Sequence, residues 1–187
     1  MRAFIRDGEE VVALLEDYER MLLESLVEQL TELLGGQDTG FDPDDPLASL
    51  ARELTQESPM DHSDPVIQRL FPDAYPDDPG ANADFQRYAQ QGQRQQRVEA
   101  AATVLADLGR MGEGDAQTDE LRIHDDNADA WLRTLNALRL TLAVRLGIED
   151  DQAHEELAEL SADDPRLQLA MLYDWFGLVL ESLLDVL

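Results

Sequence analysis

The segment that most limits the fold is the C-terminal one, opened by Asp164 and Pro165. Leu169, Leu172, Tyr173, Phe176, Leu180, Leu183 and Leu187 recur along one side at helical spacing. Met171, Trp175, Leu178, Val179 and Leu184 fill much of the remaining circumference. A helix apolar on so much of its surface needs more than one covered face. It is either the central helix of the core or a helix whose second face forms a dimer interface, and the central position is expected. Tyr173 and Trp175 are accordingly expected as core aromatics, with interface anchors as the alternative. Asp174 and Glu181 interrupt the run, so it is not the stretch of about 20 clean apolar residues that a membrane span needs.

A second apolar stripe lies on residues 128–146, where Trp131, Leu135, Leu138, Leu142 and Leu146 share a face. Leu132, Leu140 and Val144 lie off that stripe, so this helix too is covered on more than one side. Asp126 is the expected cap at its start, and Gly147 its stop. A third helix is expected over 16–34, with Tyr18, Leu22, Leu26, Leu30 and Leu33 as its buried face and Gly35-Gly36 as its end. A fourth runs from about 82 to 110, with Gly92 inside it. Shorter helices are expected over 46–55, capped by Asp45 with Pro46 in the first turn, over 65–70, and over 155–160. Pro72, Pro76 and Pro79 keep the chain extended between 71 and 79.

Strand signals are confined to two places. Residues 2–6 and 9–14 flank Asp7-Gly8, a dipeptide suited to both positive-φ positions of a type I′ turn, so a hairpin is expected. Residues 121–124 alternate apolar and polar and form a candidate third strand beside it. The expected fold is therefore mainly α. It is a bundle of about four longer helices plus short ones, with a small antiparallel hairpin or sheet at the N-terminus. A chain of 187 residues with 43% hydrophobic content fits a single domain, with acidic loops at 35–45, 56–64, 111–120 and 148–164.

Charge bears on partners. The chain has 41 acidic and 14 basic residues, a formal net charge of −27, and every basic residue is Arg. Such a surface repels phosphate backbones and anionic lipid and favours cationic or apolar partners. No cysteine is present, which excludes disulfides, thiolate metal sites and thiol nucleophiles. The first residues carry no apolar signal-peptide core, so the expected location is cytoplasmic.

Motifs for chemistry are sparse. There is no Gly-rich phosphate loop and no nucleophile elbow. His62, His124 and His154 are scattered, and His154-Glu155-Glu156-Leu157-Ala158 has Ala where a zinc-protease helix needs its second His. Asp42, Asp44 and Asp45, or Asp73, Asp77 and Asp78, offer clustered oxygens but not the spacing of a calcium loop. No catalytic residue, cofactor or metal is expected.

Two constellations remain. Arg87, Gln90, Gln91, Arg94 and Arg97 share a helix face in a stretch without acids, and Arg and Gln are the side chains that read guanine and adenine edges. A solvated polar face is the expected reading, because the net charge disfavours DNA. It is still the place to look for nucleic-acid or anion contact. Arg139 and Arg145 project close to the apolar face of their helix, where an unpaired charge costs several kcal/mol. Internal ion pairs are expected for both, with a site for an anion or a partner's carboxylate as the alternative.

Three segments carry a family resemblance. They are the run from Arg69 through Phe71-Pro72-Asp73-Ala74-Tyr75 to Pro79, the run from Trp131 through Asn136 and Arg139 to Gly147, and Tyr173-Asp174-Trp175-Phe176 with Glu181-Ser182-Leu183. Together they resemble an actinobacterial family of unknown function whose members include AosR-type oxidative-stress transcriptional regulators, with genes near that of the Clp protease adaptor. The resemblance spans essentially the whole chain. It implies a non-enzymatic cytoplasmic regulator of transcription or stress response, acting mainly through protein contacts. The alternative it implies is an interaction adaptor linked to Clp proteolysis with no DNA binding. A thiol-based switch cannot operate in a chain without cysteine. Within these segments Arg69, Asp73, Tyr75, Trp131, Asn136, Arg139, Arg145, Tyr173 and Trp175 are candidates for a partner contact or a structural ion pair. Protein partners are expected, with a homodimer as one form and no membrane contact.

Overall fold

The computed structural model describes residues 3–35, 63–111 and 119–187, and of Arg87 it describes only the backbone. The helix expected over 46–55, the acids Asp42, Asp44 and Asp45, and His62 lie outside those residues.

Strands β1 (Ile5–Asp7) and β2 (Glu10–Leu14) form the hairpin, with Asp7 opposite Glu10. The two loop residues are thus Gly8 and Glu9, one step beyond the pair expected. Gly8 has φ 65° and Glu9 does not share the positive φ, which is the pattern of a turn with glycine at its first central position rather than of type I′. Strand β3 (Glu120–His124) pairs antiparallel with the other side of β2, giving the order β1-β2-β3. Val11, Ala13, Leu121 and Ile123 are buried against the helices. On the outer face Arg122 meets Asp7, Glu10 and Glu120, one acid from each strand, at 3.2, 2.8 and 2.5 Å. Hydrogen bonds to Glu10, then Glu120 and Asp7, raise the Arg122 pKa above its ordinary value.

Helix α1 (Asp17–Leu33) turns Leu23, Val27 and Leu30 into the core, while Tyr18 and Leu22 are exposed. Of the expected face Leu30 is buried and Leu26 and Leu33 pack against the core, so the buried side is turned toward the neighbouring row and leaves Tyr18 and Leu22 outside. Both rows have helical spacing, and packing against the rest of the core selects between them. Helix α2 (Pro65–Leu70) starts where Asp64 accepts the Val66 N–H at 2.7 Å. Helix α3 (Pro79–Phe85) starts a little before the expected position, because Asp78 accepts the N–H groups of Gly80 and Ala81, both at 3.0 Å, and Pro79 needs no donor in a first turn. It continues through a π-helical turn, Gln86–Gln90, into α4 (Gln91–Gly109) without a break at Gly92.

Helix α5 (Ala128–Leu146) follows a 3-10 turn, Asp125–Asn127, in which the His124 ring accepts the Asp126 N–H at 3.3 Å. Asp126 is thus a capped donor and not the cap. Gly147 ends α5 in the left-handed conformation, φ 73°, as its sequence position implied. Helix α6 (Asp151–Ala158), capped by Asp150, begins earlier than the helix expected over 155–160 and takes in residues read as loop. Helix α7 (Leu167–Leu184) closes the chain.

The central element is α5, which packs on α1, α2, α4 and α7. Trp131, Leu135, Leu138, Leu142 and Leu146 are all buried, as their spacing predicts. Helix α7 is not central. It lies against α5 and α6, is tied to the N-terminus by Ser182, whose Oγ accepts the Phe4 N–H at 2.7 Å, and buries Ala170, Tyr173, Phe176, Val179 and Leu183. Met171, Leu178 and Leu184 remain at least 60% exposed. By length and mean hydropathy α7 is long and apolar enough to cross a membrane. Its acids and its packing on α5 make it one wall of the bundle instead. Four longer helices, three short ones and a three-stranded sheet among the described residues make the fold mainly α.

Candidate functional site

The row on α3–α4 faces inward more than outward. Arg94 donates through Nε to the Leu34 carbonyl and through Nη2 to the Gly35 carbonyl at 2.6 Å, where α1 ends. Arg97 donates through Nη2 to the Leu70 carbonyl at 3.1 Å, where α2 ends, and its guanidinium lies over the Phe71 ring at 5.2 Å. Burial, with a smaller contribution from Arg133, lowers the Arg97 pKa. Gln90 is 1% exposed and its amide donates to the Phe71 carbonyl at 3.4 Å. These side chains supply the donors that the last carbonyls of α1 and α2 lack. Gln91 is exposed, and the Arg87 side chain lies outside the described atoms. Base reading or phosphate contact would require the same donors to be free.

A buried polar cluster joins α4 to α5, and sequence reasoning missed it. Asp107 is 2% exposed. It accepts Trp131 Nε1 at 2.7 Å and the Asn127 amide at 3.0 and 3.2 Å, and it pairs with Arg110. Three donors on one buried carboxylate compensate its desolvation. Trp131 is therefore a core residue. The available signal was an acid in register with Ala100, Val104 and Leu108 on an otherwise apolar face.

The segment around 69–79 is fastened to α3. Asp73 accepts the amides of Asn82 and Gln86 at 2.7 and 3.0 Å, and Tyr75 meets Phe85 edge-on at 6.2 Å. With Asp78 capping α3, one carboxylate oxygen, Oδ1, of each of Asp73 and Asp78 is engaged within the chain. Arg69 is exposed beside Gly147 and Ile148. Arg145 does form the expected ion pair, a long one at 3.8 Å to Asp64, the acid that caps α2.

Arg139 does not. Its guanidinium lies 4.5 Å above the Tyr173 ring, its Nε is buried without a hydrogen-bond partner, and among the described residues it reaches no carboxylate. A Cβ at Gly177 would sit 3.5 Å from that Nε, in ordinary van der Waals contact. On the far side of Tyr173, His154 from α6 meets the ring edge-on at 5.3 Å and holds Asp174 at 2.8 Å. Tyr173 thus meets both side chains, the arginine favoured by the negative face of the ring.

These residues line an open groove of about 1000 Å³ between α5 and α7, with α6 at one end. Leu132, Leu178, Leu180 and Leu184 supply its apolar surface, and Asn136, Glu181 and Asp185 its polar edge. The side chains of Glu181 and Asp185 have no hydrogen bond or ion pair among the described residues. Of the sequence candidates, the groove gathers Asn136 and Arg139, with Tyr173 buried beneath the Arg139 guanidinium. Trp175 is on the other side of Leu178, in a smaller depression with Phe4, and leans on Phe176 at 5.1 Å. His154, Asp174, Gly177 and Leu178 were not expected at this site. Only the acid at the His154-to-Asp174 distance of a helix pair, invisible without the fold, would have marked them.

No curated protein and no solved structure matches the chain. Over its whole length, residues 1–187, it matches the family model described as a domain of unknown function (DUF2017), and the protein belongs to that family.

Proposed function

We propose that the protein is a non-enzymatic cytoplasmic regulator, of the oxidative-stress transcriptional type, that acts through protein contacts. The observation that carries this is the groove between α5 and α7. It couples exposed leucines to a cation and to acids that have no partner within the described chain. Buried interfaces are built from that combination of apolar surface with charges that wait for a counter-charge. Without cysteine, the signal reaches such a regulator by a route other than thiol oxidation on this chain.

A second reading is favoured by a different observation. Arg94, Arg97 and Gln90 are engaged by backbone carbonyls, which supports an adaptor, linked to Clp proteolysis, with no DNA role. Affinity capture with the full chain from native lysate separates the two. Recovery of polymerase or a sigma factor supports the regulator, and recovery of Clp components supports the adaptor. No partner retained by the wild-type chain contradicts both. Promoter DNA is expected to show no shift even at low salt, where phosphate contacts are strongest.

A further inference from the structure

Arg139 differs from the arginines around it. Arg110, Arg122, Arg133 and Arg166 reach carboxylates, and Arg94 and Arg97 reach backbone carbonyls. Among the described residues Arg139 reaches neither, in a chain with 41 acids for 14 basic residues. On the facing wall Asp174, Leu178, Glu181 and Asp185 follow one another at helical spacing along α7, and Glu181 and Asp185 meet no cation among the described residues. Arg133, the other arginine of the groove, is paired with Asp129, so the groove offers Arg139 as its anchor without a carboxylate among the described residues, an apolar strip and an acidic edge, laid out between two long helices.

We propose that this groove takes an amphipathic helix of a different protein. That helix sets apolar residues on Leu178 and Leu184, a carboxylate on Arg139, and Arg or Lys against Glu181 and Asp185. The proposal rests on the reading of the protein as one that acts through protein contacts, and names the chemistry of the partner. Helix-in-groove docking uses this arrangement, with apolar anchors three and four residues apart giving affinity and the flanking charges giving register. A second copy fits poorly. Setting α7 against α7 brings Glu181 and Asp185 of both chains together, between molecules each carrying −27. An anionic bilayer meets the same acidic edge.

The test uses the full chain with a photo-crosslinking p-benzoylphenylalanine in place of Leu178, expressed in the native host and irradiated, the crosslinked peptides being read by mass spectrometry. A segment of another protein with helical apolar spacing, an acid and at least one basic residue is expected. A synthetic peptide of that segment should bind the wild-type chain and lose about tenfold or more in affinity to Arg139→Gln, as loss of a charge-assisted pair implies. Arg139→Glu should recover binding to the peptide whose acid is replaced by Arg. Arg139→Gln and Leu178→Asp are expected to melt with the wild type, since both positions face the groove. Crosslinks within the chain or to a second copy overturn the proposal, as does a segment without an acid or an unchanged affinity in Arg139→Gln. Co-sedimentation with phosphatidylglycerol vesicles that Leu178→Asp abolishes assigns the face to a membrane instead. If capture from lysate retains partners but Leu178 crosslinks to none, the groove proposal fails while the regulatory reading stands.

Discussion

Helix α5 takes part in two regions that treat charge in opposite ways. Toward α4, Trp131 gives its N–H to Asp107, and Asn127 and Arg110 complete that carboxylate. Toward α7, Arg139 rests on Tyr173 with its Nε bare, and Glu181 and Asp185 meet no cation among the described residues. A buried polar group left unmade costs about 1–3 kcal/mol, so the first region is built to remove that cost. In the second, the Arg139 Nε keeps it, while Glu181 and Asp185 are exposed to solvent. Gln90 Oε1 and Thr134 Oγ1 are also buried without a partner among the described residues, so it is the bare Nε together with the exposed leucines and acids that sets the groove apart.

The widest consequence falls on the saturated side. Trp131→Ala removes a fully buried aromatic and strips Asp107 of a donor, and is expected to lower stability by about 3–5 kcal/mol in urea denaturation. Asp107→Asn keeps the shape but not the charge, and is expected to cost about 1–3 kcal/mol. Arg94→Ala leaves the Leu34 and Gly35 carbonyls without their donor, for a loss of about 1 kcal/mol by the same denaturation and no change in behaviour toward DNA. On the open side, Leu178→Asp and Arg139→Gln should shift stability by no more than about 0.5 kcal/mol. If either destabilises as much as Asp107→Asn, the two regions are not different in kind. The smallest effect lies in the loop before α7. Hydrogen bonds from the Arg166 side chain and backbone hold the Asp164 pKa below its ordinary 3.8. Its contribution to stability is thus complete above that pH and is lost as pH falls through the lowered value. Asp164→Asn should flatten the acid limb slightly, and carboxyl NMR titration of the wild type should find Asp164 below 3.8.

Local signals in the sequence located most elements, because caps and turns are written in neighbouring residues. Gly147, Pro65 with Asp64, and the hairpin around Gly8 are examples. What depended on distant neighbours was less legible. Helix α1 has two apolar rows, and only packing decides that Leu23 and Val27 go inward and Leu22 stays out. Helix α7 is the more apolar, yet α5 is central, because position in a bundle follows from who packs on whom. Arg94 and Arg97 read as a charged face because backbone carbonyls at the ends of other helices leave no trace in composition. At the groove, Arg139 and Tyr173 were each visible as candidates. Their stacking and the approach of His154 are products of the fold.

The contrast between the Asp107 cluster and the Arg139 groove is tested most directly by one paired experiment. The amount of partner captured from native lysate is measured for Asp107→Asn and Arg139→Gln at a temperature where both chains are folded, with urea midpoints taken on the same preparations. Asp107→Asn is predicted to lose stability and keep its partner, and Arg139→Gln to keep its stability and lose its partner by about tenfold or more. Arg139→Gln that captures as the wild type does, or that falls with Asp107→Asn in stability, would contradict the account.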